Sequence, residues 1–453
     1  MAEVSEKFKQ FVDEVRNKCS IVEIIGEDTK LESKGRAFFC TPNPLRVEND
    51  PSFAVYPETE SWYDYGIGEG GDVFYYIQKK HNCEFVEAVK ILAEKIGMPP
   101  YWGDDATDEE HQKQTEFYQE RREIERILTL ATAFYHRKLN DEIREEYYHK
   151  KYGFTDETIN ELQLGWAVEG LYEELLQLGI DKKTLLKTGL FVKTKNGSIK
   201  DFFTNRLFFP YWYRGRVVYA IGRRTDYSSN EPWDQAKYKK LLTNSENHPY
   251  VSETVSNEWF YNEDCVVKGA KRAIITEGVT DCISAKQAGF ICISPVTTRF
   301  REKDIPKLLL ICTKVEQIII CNDADILPDG TKPGELGAQK TALALYKENK
   351  DVRIAYLPKP EDVAKIDVNE FLLTHTPAEL EEVFNAAIIY PEFLINKIEE
   401  NASIQKQSEI YEQICDLICG RSELEIERFA KSVSDKLKLP KSQVKAAIAK
   451  AKK

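Results

Sequence analysis

Two acidic sets stand where short apolar runs end. Ala273-Ile274-Ile275-Thr276 delivers Glu277 and Gly278, with Asp281 one short step further, and Gln317-Ile318-Ile319-Ile320-Cys321 delivers Asn322-Asp323-Ala324-Asp325. Brief runs rich in β-branched residues are the pattern of strands buried on both faces. In an open α/β sheet such strands run parallel through right-handed crossovers, so their carboxyl ends line one edge and form the usual ligand crevice. The sequence therefore predicts that Glu277, Asp323 and Asp325 converge. Three packed carboxylates repel, and one takes up a proton unless cations neutralise them. Hard oxygen ligands on loops suit Mg²⁺, which keeps several waters and reaches substrate phosphates through one or two carboxylates. The chemistry this implies is phosphoryl or nucleotidyl transfer. Helix capping accounts equally well for any one of these acids taken singly, and it is the ordered set that favours a metal.

The chain that must position them has 453 residues, enough for about three domains at roughly one per 150 residues. Its amino terminus is polar, without the apolar core of a signal peptide, and no apolar run approaches the roughly 18 residues of a membrane span. Ten cysteines are scattered singly with no Cys-x-x-Cys pair, which argues against a disulfide framework or a zinc ribbon. The expectation is a reduced, cytoplasmic protein. The net charge of −12 speaks against nucleic acid on average, but averages hide local fields. From Lys193 to Lys240 there are eleven basic residues against four acids, an excess of seven. That stretch includes Lys195, Arg206, Arg216, Arg223, Lys237 and Lys240.

Read in order, residues 1–97 open with a helical pattern from Phe8 to Ile25. Aromatic-rich strands follow at Ala37-Phe38-Phe39, Ser52 to Tyr56 and Ser61 to Tyr65, then a glycine turn and helices from Asp72 and Phe85. Phe38, Phe53 and Trp62 read as core, and Tyr63 and Tyr65 as the better candidates for stacking unpaired bases. Residues 98–115, with Pro99-Pro100, Trp102, Gly103, Asp104 and Asp105, read as a linker. A charged helical stretch leads to two strands, Asn205 to Pro210 and Val217 to Arg224, joined by a turn at Arg214-Gly215-Arg216. Alternation along a strand puts residues two apart on one face, so basic side chains so spaced form a stripe that tracks a phosphate backbone without reading sequence.

Glu-Gly-x-x-Asp at Glu277 to Asp281, Asp-x-Asp at Asp323 and Asp325, Gly337-Ala338 opening the next helix and Asp367-Val368-Asn369-Glu370-Phe371 after a further strand together resemble a TOPRIM domain. The resemblance extends to bacterial-type primases over nearly the whole length. In the first unit the order Ile-Ile-Gly, Gly-Arg, Cys-x-Pro, Pro-Ser-Phe, Gly-Gly-Asp-Val is that of the primase zinc-binding domain. Of its metal ligands only Cys40 remains: Asn43 or Pro44 stands for the His, and Asp64 and Ile67 for the two later Cys. Structural zinc takes four Cys or His ligands, so zinc is not expected. Asn-Arg-x-x-Phe-Pro, Gly-Arg-Val, Gly-Arg and Lys-Tyr-x-Asn are similar to the basic subdomain of the primase core and carry Arg206, Arg223, Lys237 and Asn244. Pro249-Tyr250-Val251-Ser252 replaces the family's Phe-x-Lys-Gly, a loop from Ile326 to Glu335 containing Pro328 is inserted after Asp325, and Asn369 replaces a common Asp.

The resemblance implies a multidomain α+β chain with a central TOPRIM sheet. Its expected parts are residues 1–97 (zinc-binding-like), 98–115 (linker), 116–265 (basic subdomain), 266–371 (TOPRIM) and 372–453 (helical). It implies a DNA-dependent RNA primase working by Mg²⁺- or Mn²⁺-dependent nucleotidyl transfer, with catalytic residues Glu277, Asp281, Asp323 and Asp325. Metal ligands would be Glu277, Asp323, Asp325 and Asp367. Nucleic acid or nucleotide would be held by Arg206, Arg216, Arg223, Lys237, Lys240 and Asn244. The implied partners are single-stranded DNA, ribonucleoside triphosphates and a replicative helicase on a separate chain, since no Walker loop occurs; a phage or mobile-element source fits the short ends. Two other readings stay open: a weakly catalytic relative that binds single strands or loads a helicase, and a TOPRIM nuclease, since fold does not fix reaction.

Overall fold

Five strands form the central sheet of the computed structural model, in the order Cys292–Ile293, Arg272–Thr276, Gln317–Cys321, Asp351–Ile354 and Ile388–Ile389. The first four are parallel and the last is antiparallel. Numbered along the chain this is the order 2-1-3-4-5, in which the winding reverses between the first and third strands and a crevice opens at their carboxyl ends. The register pairs Thr276 with Cys321, so Glu277 and Asn322 leave the sheet side by side. Ile274, Ile275, Ile318, Ile319 and Ile320 are all buried, each contributing about 1.5–3 kcal/mol. One continuous core joins this sheet to the last helices through Ile320, Ala342, Leu345, Ile414, Phe429 and Val444.

The structure describes all residues except 1–4, 49, 102, 104–106, 195, 268–269, 314, 328, 360–362, 364, 400–401 and 452–453. Met1 to Val4, Trp102, Asp104, Asp105, Lys195, Pro328, Lys452 and Lys453, which figure in the sequence reading, lie outside the described residues. The chain divides into two compact units, one made of residues 1–129, 180–189 and 242–255, the other of residues 130–179, 190–241 and 256–453. No helix among the described residues is long and apolar enough to cross a membrane.

Besides the central sheet, the second unit holds an antiparallel sheet in the order Tyr238–Lys240, Arg216–Arg224, Arg206–Tyr213 and Gly165–Ala167. Arg214 and Gly215, at φ 48° and 76°, make the tight turn between its long strands; two successive left-handed residues match the twist of a hairpin.

The first unit is built on a five-stranded antiparallel meander, Lys30–Lys34, Ala37–Thr41, Phe53–Tyr56, Ser61–Asp64 and Glu69–Gly71. The helix expected from Phe8 to Ile25 is two helices, Glu6–Lys18 and Ile21–Gly26: Cys19 is extended and the Ser20 side chain accepts from the Glu23 amide. A Ser cap satisfies amides at a helix start, which a reading by apolar spacing alone passes over. Phe53 and Trp62 are buried and stacked at 4.9 Å, while Tyr63 and Tyr65 are exposed. Within the stretch after residue 98, a helix begins at Asp108 and runs to Arg137.

Asp64, fully buried, organises this unit's loops. Arg46 donates through Nε to Oδ2 at 2.8 Å and through Nη2 to Oδ1 at 2.9 Å. Asn43 and Ser52 each donate to the same carboxylate at 2.9 Å, and the Gly66 amide donates at 2.8 Å. The Arg46 guanidinium, with these donors, holds the Asp64 carboxyl well below the usual range.

Candidate active site

At the carboxyl end of the central sheet, in the second unit, lies a crevice of about 330 Å³. Five acids line it (Glu277, Asp281, Asp323, Asp367 and Glu370) together with four cations, Lys151, Arg223, Lys237 and Lys365. Carboxylate oxygens of Asp281, Asp323 and Asp367 come within 4.8 Å of one another. Each is placed by backbone. Asp281 sits in the first turn of Val279–Gln287, accepting from the Gly278 amide at 3.0 Å and the Asn369 amide at 3.1 Å. Asp367 caps Val368–Leu372 by accepting from the Glu370 amide at 2.8 Å. Asp323 follows Gln317–Cys321, and the Ala324 amide donates to the Ile366 carbonyl at 2.9 Å, fastening the segment before Asp367 beside the strand end.

Burial, then Asp323, pushes the Glu277 carboxyl up to about 7. Burial, then Asp367 and Asp323, pushes Asp281 well above its ordinary value. Asp323 is also raised, by burial against the opposing bond from Lys365. These directions follow from crowding like charges in a partly desolvated place. Glu277 Oε2 is buried without a hydrogen-bond partner, an acceptor that a cation would satisfy. The donor set, carboxylates only, fits Mg²⁺ or Mn²⁺.

Opposite the acids, Arg223 lies 4.9 Å from the Tyr152 ring centroid and 5.4 Å from that of Tyr238, and Nη1 donates to the Tyr238 hydroxyl at 2.9 Å. Such packing aims the guanidinium and restricts its rotamers. Lys237 stands on the rim, where partial desolvation, then Arg223 and Lys365, lowers its pKa. Val296, also in the wall, has φ 53°, a strained conformation for a β-branched residue and of a kind that clusters at functional sites.

Several sequence-predicted residues stand elsewhere. Asp325 does not line this crevice: its Oδ1 accepts from the Gly334 amide at 3.2 Å and it faces a neighbouring cleft of about 190 Å³. There the helix-capping account applies, and Asp281 takes its place in the carboxylate cluster. Arg206 is fully buried and paired with Asp234 at 2.9 Å, with further bonds to the carbonyls of Asp234, Ala236 and Gly222. It is a brace for the loop before Tyr238–Lys240, which corrects its expected role as a phosphate contact: the first six residues of Arg206–Tyr213 are all buried, and Asp234 meets the guanidinium inside. Arg216 is half-buried, and Lys240 lines a separate small cavity with Arg301. Asn244 belongs to the first unit, where its amide donates to the Val251 carbonyl at 2.6 Å.

Lys365 and Asn369 were not anticipated as functional residues. A lone lysine outside any motif gives no signal in sequence. Asn369 was read only as a lost acid, whereas its buried amide donates to the Tyr152 carbonyl at 2.8 Å and to Ser284 Oγ at 2.7 Å, which a carboxylate cannot do.

A central doubly wound sheet with carboxylates at the strand-1/strand-3 edge and a cationic antiparallel sheet beside them form a TOPRIM-like core. Residues 7–106 match the CHC2 zinc finger family and residues 134–251 the N-terminal domain of the DNA primase catalytic core. The DNA primase of Clostridium acetobutylicum is 26% identical over 440 residues, covering 94% of this chain and 68% of that protein. That of Halalkalibacterium halodurans is 27% identical over 368 residues, covering 77% of this chain and 55% of the relative. The Aquifex aeolicus primase structure, comprising zinc binding and RNA polymerase domains, is similar with a TM-score of 0.58 at 21% identity over 96% of this chain and 98% of its own. A DnaG primase catalytic domain bound to ssDNA gives 0.54 at 20% identity over 70% and 99%. The chain is thus similar to bacterial-type DNA primases over nearly its whole length.

The same findings correct the expectation about zinc. The CHC2 zinc finger match spans the region in which zinc was not expected, and the Aquifex aeolicus neighbour includes a zinc binding domain, so zinc is a plausible cofactor of the first unit. The family match rests on the whole pattern of residues 7–106, whereas the ligand positions alone argue against the metal. In this chain Cys40 is buried, and a metal drawing on Asp64 as well would compete with Arg46 for that carboxylate.

Proposed function

We propose that the chain is a DNA-dependent RNA primase that joins ribonucleoside triphosphates into short primers on single-stranded DNA. The observation that carries the reading is the cluster of Asp281, Asp323 and Asp367 with the unpartnered Glu277 oxygen beside it, facing Arg223 and Lys237 across one crevice. These four acids would hold the divalent metal. When bound, such a metal supplies charge neutralisation at the triphosphate as a 3′-hydroxyl attacks the α-phosphate and pyrophosphate leaves. Arg223 presents its guanidinium, fixed between two tyrosine rings, to phosphate oxygens, and Lys237 adds a point charge on the rim. Asn369 holds Asp281 in place through the backbone. The division at 97, 115, 265 and 371, a cytoplasmic site of action and a separate helicase partner belong to the same reading.

The test is primer synthesis on single-stranded DNA with labelled ribonucleotides and Mg²⁺, comparing wild type with Asp323→Ala. Short ribonucleotide products that disappear in the variant support the assignment. Cleavage of the template instead would make this a TOPRIM nuclease, and binding without either reaction would make it a loading factor.

A further inference from the structure

Lys365 stands inside the carboxylate cluster. Its Nζ is 2.5 Å from Asp323 Oδ2 and 3.6 Å from Asp367 Oδ2, and its side chain keeps 36% of its exposure. It lies on irregular backbone two residues before Asp367, and the Ala324–Ile366 hydrogen bond holds that segment against the strand end. The ammonium is therefore positioned by the fold, yet its four-carbon stem reaches in from the solvent side.

Building on the metal site described above, we propose that Lys365 is a tethered cation that competes with the divalent metal for Asp323 and Asp367. A metal ligated by Asp323 needs an oxygen at about 2.0–2.1 Å, and the same oxygen cannot also serve an ammonium between itself and Asp367. Loading the metal means swinging Lys365 outward. The half-exposed stem permits that motion, and the displaced ammonium stays at the lip of a crevice that takes phosphates. A triphosphate arriving with the metal gives the ammonium a new anionic partner, so metal and nucleotide bind cooperatively. Metal alone binds against the repulsion. Coupling of this kind is reciprocal: whatever the nucleotide adds to metal affinity, the metal adds to nucleotide affinity.

The experiment measures Mn²⁺ binding to the full chain by electron paramagnetic resonance, without nucleotide and then with a non-hydrolysable ribonucleoside triphosphate. A unit charge displaced by about 6 Å from a divalent ion in water-like surroundings opposes it by about tenfold in affinity. Lys365→Met is therefore expected to bind Mn²⁺ alone about tenfold more tightly than wild type and to gain less from added nucleotide, while Lys365→Arg stays near wild type. Asp323→Asn, losing Mn²⁺ in either background, locates the binding in the cluster. Equal or weaker Mn²⁺ affinity in Lys365→Met overturns the proposal while leaving the metal site standing. Undiminished binding in Asp323→Asn overturns the metal site itself and the proposal with it. Thermal unfolding of each variant with and without Mn²⁺ gives a second readout, in which Lys365→Met should show the larger metal-induced rise.

Discussion

Arg206 and Lys237 are both basic residues of one sheet and its flanking loop, and replacing each in turn separates bracing from binding. Arg206→Met removes a guanidinium that is fully buried while keeping most of its volume. Asp234, also fully buried, is left with Lys239 as its remaining charged partner, and the carbonyls of Asp234, Ala236 and Gly222 lose a donor. Removing one member of a buried ion pair costs about 3–5 kcal/mol, and partial compensation by Lys239 places the expected loss near the lower end. At about 2 °C per kcal/mol for a unit of this size, the melting temperature should fall by roughly 6 °C. Single-stranded DNA affinity per folded molecule, measured by fluorescence anisotropy well below the transition, should stay at the wild-type value. Lys237→Ala should do the reverse: a melting temperature within about 1 °C of wild type, weaker DNA binding, and a salt dependence reduced by about one ion. A normally stable Arg206→Met protein that has lost DNA binding would refute the argument.

Three further outcomes follow from the geometry. Because the Glu277 carboxyl is raised to about 7, it holds a proton in the folded chain at pH values where the unfolded chain has released it. Metal-free stability should therefore decline as pH rises from the ordinary carboxylate range toward 7, whereas Mn²⁺ affinity should climb through the same value. Glu277→Gln should flatten both slopes in urea unfolding and metal titration. Gly334 packs so closely under the strand end that a Cβ there would lie 2.2 Å from the Asp323 carbonyl oxygen. Gly334→Ala should displace Asp323, lowering metal affinity and primer synthesis together while circular dichroism stays native-like. In the first unit, Arg46→Ala leaves the buried Asp64 carboxylate without its cation and should lower the stability of this unit. The lowered Asp64 pKa makes the wild-type contribution present above the ordinary carboxylate range and lost as pH falls below it, so the variant should lose less on acidification, as followed by tryptophan fluorescence.

Where one type of interaction dominated, sequence was enough. The runs Ala273–Thr276 and Gln317–Cys321 are buried on both faces, so apolarity alone marked them as central strands, and their ends located the crevice. The hairpin Arg206–Arg224 was equally open to reading, because two apolar runs flank the turn residues Arg214-Gly215. Which acids meet was harder. Asp323 and Asp325 are two residues apart, and past a strand end that spacing no longer fixes direction: one turns to the cluster and the other to the amide of Gly334. Asp281 reaches the cluster from a helix start, where capping and metal binding ask for the same residue type.

Charge was the least legible property. The excess of basic residues between Lys193 and Lys240 pointed to a phosphate path, yet its members have unlike roles: Arg206 is locked under Asp234, Lys240 lines another cavity, and Arg223 and Lys237 line the crevice. A guanidinium with five donors can satisfy a buried carboxylate and three carbonyls as readily as a phosphate, so composition cannot say which it does. Lys365 makes the same point from the opposite side. No local pattern distinguishes it from any solvated lysine, and its significance comes only from the Ala324–Ile366 bond that holds its segment beside Asp323. A cation built into an acidic cluster is thus a property of tertiary contact, which no run of neighbouring residues records.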